Sequence, residues 1–139
     1  MADQVCIAKH LHHVCIAVKD IADTVKFYQD TFGLGHINIV EVPDQKVKAA
    51  LVKVGGTELE FIQPTDPTTG VAQFIEKRGE GMHHICFAVE HLAETLKGME
   101  AKGIRLIDKA PRNGLAGNIA FIHPAATRGV LIELVDQSS

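Results

Sequence analysis

Several things this chain lacks narrow its function before any motif is read. It has no excess of basic residues: 14 lysines and arginines stand against 17 acidic residues, a formal charge of −3 at pH 7, and aromatics make up only 5%. No basic stripe with interleaved aromatics, the footprint of a nucleic-acid binder, is present, so no nucleic-acid partner is expected. Long apolar runs are also missing. The longest are of strand length, short of the roughly 20 residues a membrane-spanning helix takes, and no membrane partner is expected. The amino-terminal stretch MADQVCIAKHL carries neither the charged nor the long apolar region of a secretory leader, which sets a cytoplasmic location as the expectation. Cysteine is scarce and odd in number: Cys6, Cys15 and Cys86, with no CxxC pair. That argues against a disulfide framework or a zinc ribbon and for reduced thiols.

What is present is a repeat. A chain of 139 residues, 46% of them hydrophobic, can bury one core or two small modules that share one, so residues 1–139 are read as a single domain. Residues 12–26 match residues 83–97 at a constant offset of 71, with identities at His12/His83, His13/His84, Cys15/Cys86, Ala17/Ala88, Val18/Val89, Ala22/Ala93, Thr24/Thr95 and Lys26/Lys97. Eight identities in fifteen positions are hard to ascribe to chance. Later in each half, TELEFIQP and GVLIELVD both end a β-type segment with apolar-Glu-apolar, aligning Glu60 with Glu133 at an offset of 73. The internal modules are placed at about 10–64 and 82–136, joined by a connector over 65–81.

Each module reads as βαβββ. Val14 to Val18 alternates in the period-2 manner of a half-buried strand, and Ile21 to Phe32 carries apolar residues at helical spacing before the stop at Gly33-Leu34-Gly35. The stretch from Glu41 to Thr65 reads as strand, a Gly55-Gly56 hairpin turn, and strand. In the second module Ile85 to Val89 is a strand and Leu92 to Lys102 a helix closed by Gly103. A strand is expected near Arg105 to Ile107, a Gly/Pro/Asn-rich loop over APRNGLAGN, then strands over Ile119 to His123 and Val130 to Val135. The connector holds turn residues around a short helix, Val71 to Arg78. The expected fold class is α+β, with two tandem βαβββ modules forming a curved mixed sheet.

Strand parity then divides the histidine doublets, because successive side chains on a strand point to opposite faces. His12, Val14, Ile16 and Val18 share one side, as do His83, Ile85, Phe87 and Val89; their bulk implies a helix-covered core, against which His12 and His83 would orient or pack. The other side carries His13, Cys15 and Ala17, matched by His84, Cys86 and Ala88, small or polar residues suited to a face with open space above it. The same test sets Glu60 opposite Leu59 and Phe61, and Glu133 opposite Ile132 and Leu134. A carboxylate so flanked on a sheet is costly unless it is paired or ligated. If a pseudo-twofold axis relates the modules, His13, Glu60, His84 and Glu133 converge as two imidazoles and two carboxylates, a donor set for a first-row divalent metal. His10, His36, His91 and His123 have no repeat partner and are read as surface or structural groups. Cys15 and Cys86 are read as lining the floor of the cavity rather than as ligands.

At this point the chain resembles the vicinal oxygen chelate superfamily, whose members pair two βαβββ modules around a divalent metal. Within it, HHVCIAVKDI, FYQDTFGL, FIEKRGEGMHHICFAV, KGIRLID and FIHPAATRGVLIELV are similar to the characteristic segments of the methylmalonyl-CoA epimerase family. The resemblance spans essentially the whole chain and implies metal ligands at His13, Glu60, His84 and Glu133, the four that parity and the repeat had selected. It also implies a homodimer and an acyl-CoA thioester as substrate. Some members carry a further glutamate, proposed as a proton-transfer group, where this chain has Ala49.

Epimerising a 2-methylmalonyl thioester means removing the proton between two carbonyl groups and returning it on the opposite face. A divalent metal that chelates the thioester and carboxylate oxygens would stabilise the enolate as a Lewis acid. Four protein ligands in an octahedron leave two cis positions for that chelate, and hard oxygen donors with two imidazoles suit cobalt first, with manganese or nickel as alternatives, better than closed tetrahedral zinc. Glu133 is the preferred catalytic base, and Glu60, from the other module, the candidate that compensates for Ala49. Rival readings are a glyoxalase I-type lactoylglutathione lyase, which uses a similar quartet, and a non-catalytic metal- or ligand-binding resistance module. An extradiol dioxygenase would use two histidines and one carboxylate, and the additional Glu60 tells against it.

Overall fold

A computed structural model describes residues 4–137; residues 1–3 of the segment read for a leader, and the last two residues of the chain, lie outside the described residues. Among those described, no helix is long and apolar enough to cross a membrane. The chain divides into two compact units, one of residues 13–83 and one formed by the remaining described residues.

The first unit is built on β1 (His10–Ala17, in the unit from His13 onward), α1 (Ile21–Phe32), β2 (Ile39–Val42), β3 (Val47–Val54), β4 (Thr57–Pro64) and α2 (Gly70–Arg78). Its strand order is β2-β3-β4-β1, with β1 parallel to β4 and the other pairs antiparallel. The limits of α1 follow from local chemistry. The Asp20 carboxylate accepts the Asp23 N–H at 3.0 Å, and Gly33, at φ 65°, takes the left-handed conformation that closes the helix. The apolar face of α1 buries Ile21 and Val25 against Val18, Ala50, Val52 and Phe61, with Ile16 and Tyr28 at the margin. The bulky side of β1 is thus the helix-covered side, as strand parity predicts.

The second unit repeats this order with β5 (Gly81–Val89), α3 (Leu92–Ala101), β6 (Arg112–Gly114), β7 (Gly117–Ile122) and β8 (Ile132–Asp136), arranged β5-β8-β7-β6. Again the first strand lies parallel to the last, and the register is the same: Cys15 pairs with Glu60, and Cys86 with Glu133. Leu92, Leu96 and Met99 of α3 pack on Val89, Ala120, Ile122 and Leu134.

Three elements depart from the sequence expectation. β2 is a separate edge strand, set off from β3 by a 3-10 turn over Pro43–Gln45. The strand expected near Arg105 to Ile107 is a single bridge, Leu106 to Ile122. The reason is Asp108: Ile107 and Asp108 both donate to the Phe121 carbonyl, while the Asp108 carboxylate accepts the Phe121 N–H at 2.8 Å. A side chain occupies the donor that a ladder would use. The strand is found instead inside the stretch read as a loop, where β6 and β7 form a hairpin closed by the Gly114–Gly117 pair. The glycines that suggested a loop are what the tight turn requires; Gly117 sits at φ 130°.

Gly114 is required for a second reason. A Cβ there would stand 2.7 Å from Ile119 Cγ2 and 2.9 Å from Cγ1 and Cδ1, and Ile119 belongs to the buried cluster of Cys86, Ala88 and Val135. Gly114→Ala is expected to cost about 1–3 kcal/mol by overpacking, measured by urea denaturation, and Ile119→Val in the same chain should return part of that loss.

Candidate functional site

Each unit brings one predicted histidine and one predicted glutamate together. In the first, His13 Nε2 lies 3.4 Å from Glu60 Oε1; in the second, His84 Nε2 lies 2.9 Å from Glu133 Oε1. All four residues are buried, at 5, 6, 7 and 7% exposure for His13, Glu60, His84 and Glu133. Burying a carboxylate this deeply is costly without a partner, and the parallel register of first and last strand supplies one from the neighbouring strand in both units. The donor set fits a metal. Two ligand atoms bound cis to one first-row ion at about 2.1 Å each stand roughly 3 Å apart, close to both observed separations.

The surroundings correct one expectation. The face carrying Cys15 and Ala17 is not open: both are fully buried, with Ala49, Ile62 and Ile75 of α2. Small side chains on the sheet let α2 settle close upon it, so the segment read as a connector roofs the inner end of the first unit's face. The Thr69 hydroxyl caps α2 by accepting the Ala72 N–H at 3.1 Å. Just before it, hydrogen bonds from the Thr68 hydroxyl and N–H hold the Asp66 carboxyl below the usual range. In the second unit Cys86 and Ala88 are fully buried with Ile119 and Val135. Ala49, 1% exposed, is part of the α2 cluster, so no carboxylate stands there.

The other histidines make contacts of their own. His36 pairs with Asn38 at 2.7 Å, and His123 Nδ1 accepts the Ala125 N–H at 2.9 Å as the cap of a 3-10 turn over Pro124–Ala126. His10 stacks with His12, His83 sets its ring edge-on to Phe74 of α2, and His91 precedes α3 in the left-handed conformation. Burial raises the Cys6 thiol above its ordinary value, favouring the neutral form.

Two features escaped the sequence reading. Gln63 Oε1 accepts the Ile21 N–H at 2.8 Å, and Asp136 Oδ2 accepts the Leu92 N–H at 3.2 Å, so the strand that bears each glutamate also caps its unit's helix. Their offset of 73 is that of the glutamates, a signal that was available. The second is Phe121, the cross-strand partner of Glu133, whose ring stands edge-on to His84 at 5.3 Å. Leu51 holds the corresponding place opposite Glu60.

Residues 12–122 match the sequence profile described as the Glyoxalase/Bleomycin resistance protein/Dioxygenase superfamily. The chain is 41% identical over 127 residues to the uncharacterized protein YqjC of Bacillus subtilis, covering 91% of each. It is 32% identical over 126 residues to human mitochondrial methylmalonyl-CoA epimerase, covering 89% of this chain and 72% of that one. It is similar in structure to a variant of Streptomyces coelicolor methylmalonyl-CoA epimerase in complex with 2-nitronate-propionyl-CoA, with a TM-score of 0.86 at 31% identity over 95% of this chain and 97% of that one. The chain therefore belongs to the Glyoxalase/Bleomycin resistance protein/Dioxygenase superfamily, with the vicinal oxygen chelate fold and relatives that are methylmalonyl-CoA epimerases.

Proposed function

We propose that the protein is a metal-dependent methylmalonyl-CoA epimerase that interconverts the (2R) and (2S) thioesters by removing the α proton and returning it on the opposite face. The observation that carries the metal-dependent part of this reading is the buried His–Glu pair built twice, in the same register, on two units of the same order; the chain's relatives support an epimerase over a glyoxalase I-type lyase, which uses a similar quartet. His13, Glu60, His84 and Glu133 together would hold one divalent ion, with cobalt, manganese or nickel suited to the donor set. When bound, that ion supplies Lewis acidity toward the oxygens of the substrate.

The protein's own contribution is proton transfer and exclusion of water. A racemising site needs a proton-transfer group on each side of the planar intermediate. Glu133 and Glu60, one from each unit, are the candidates, and Glu60 takes the place that Ala49 cannot. Phe121, edge-on to His84, keeps the second unit's pair out of bulk water, where a carboxylate would be a weaker base.

Stripping the metal with a chelator is expected to abolish exchange of the α proton of methylmalonyl-CoA in heavy water, and adding back cobalt or manganese to restore it. The hemithioacetal of methylglyoxal and glutathione, offered to the same enzyme, should give no turnover. Absence of metal-restored exchange would overturn the reading.

A further inference from the structure

We propose that Arg112 is a substrate-binding residue, a fixed guanidinium that receives a phosphate of the coenzyme A portion outside the metal pocket; the proposal rests on the acyl-CoA reading above. Arg112 opens the short strand β6, and three contacts hold the region. Its Nε lies 3.2 Å from both Asp108 carboxylate oxygens. Asp108 is itself fixed, because it accepts the Phe121 N–H at 2.8 Å. The guanidinium carbon lies 5.3 Å from the centroid of the Phe121 ring, within cation–π range, and that ring is the one set edge-on to His84.

The side chain is nevertheless 55% exposed, and Nε is the nitrogen that donates to Asp108. The two Nη groups therefore present a planar fork whose direction is set from behind. Fixing an arginine costs about 2 kcal/mol of rotamer entropy, and a surface ion pair returns little of it. The arrangement is rewarded when the fork meets a second anion, since bidentate guanidinium–phosphate and guanidinium–carboxylate contacts are among the strongest hydrogen bonds in proteins.

The position selects which anion. Arg112 and His84 each stand 5.3 Å from the centroid of the Phe121 ring, so the fork borders the ring that packs on the second unit's histidine. On the epimerase reading the acyl carboxylate is taken up by the metal and is not offered to the fork. The anionic groups left on an acyl-CoA are its phosphates. Lys109, nearby in sequence, pairs with Glu100 at 3.1 Å and has no planar fork to offer.

The test compares wild type with Arg112→Gln and Arg112→Lys in the metal-loaded enzyme, on methylmalonyl-CoA and on methylmalonyl-pantetheine, which lacks the phosphates. Calorimetric titration with free coenzyme A runs alongside. Arg112→Gln is expected to raise KM for methylmalonyl-CoA about 10-fold with kcat within about twofold, to leave KM for methylmalonyl-pantetheine unchanged, and to weaken coenzyme A binding about 10-fold. Arg112→Lys, which keeps the charge but loses the fork, should fall between. Equal KM changes for both thioesters, or equal coenzyme A affinity in wild type and Arg112→Gln, would overturn the proposal. If wild type turns over neither thioester, the epimerase reading falls, and the coenzyme A titration alone still decides Arg112.

Discussion

In heavy water, Glu133→Gln is expected to wash deuterium into one epimer of methylmalonyl-CoA while leaving the α proton of the other in place, and Glu60→Gln to show the opposite preference. Two groups on opposite faces of a planar intermediate each serve one epimer when abstracting and the other when returning the proton. Removing one of them blocks interconversion in both directions but leaves the remaining carboxylate able to exchange the proton on its own face. Interconversion should fall about 10²- to 10⁴-fold in each variant, the usual worth of a positioned base. Glutamine keeps a carbonyl oxygen where the carboxylate stood, so metal content can be measured in the same preparations. Should both variants exchange both epimers at the wild-type rate with metal content unchanged, neither glutamate is a base.

A second large effect concerns stability. His84→Ala removes the imidazole 2.9 Å from Glu133 and takes away the ring against which Phe121 is set. Removing one of a buried carboxylate's partners typically costs about 1–3 kcal/mol, and a loss of that size is expected in urea denaturation of the metal-free protein. The double variant His84→Leu/Glu133→Leu should recover part of the loss, because replacing both partners of a buried hydrogen-bonded pair by apolar residues of similar volume can be nearly neutral. Both proteins should be inactive. The pair would then be retained for its chemistry rather than for stability. If His84→Ala matched wild type within about 0.5 kcal/mol, Glu133 would not depend on that imidazole.

Much of this was legible in the chain because it rests on period and repetition. The alternation of β1 placed Ile16 and Val18 on the side that α1 covers, and the bounds of α1 follow from Asp20 and Gly33, whose cap chemistry is local. The His–Glu pairs were legible because each was written twice. What was not legible depends on contacts distant in sequence. No local pattern says that the Asp108 carboxylate will take the Phe121 N–H and leave Arg105 to Ile107 as a single bridge. The glycines and asparagines over residues 113–118 carry the same composition whether they make a loop or a tight hairpin. Parity told which side Cys15 and Ala17 occupy, but small residues there fit an open pocket and a closely seated helix equally well, and only the packing of Ile75 decides for the helix.

The two units differ most in how the last two strands are joined. In the first, β3 and β4 meet at Gly55 and Gly56. In the second, β7 and β8 are separated by residues 123–131, which contain the 3-10 turn, and Ile85, next to His84, donates its N–H to the carbonyl of Leu131. A duplicated gene starts with two equal copies of everything, yet here one copy's turn is reduced to its minimum while the other's is long enough to be edited. Insertions and substitutions over residues 124–130 can alter what borders the second unit's His–Glu pair without shifting the strand that bears Glu133. A library that varies the surroundings of that pair belongs in that segment, with the Gly55-Gly56 turn left untouched.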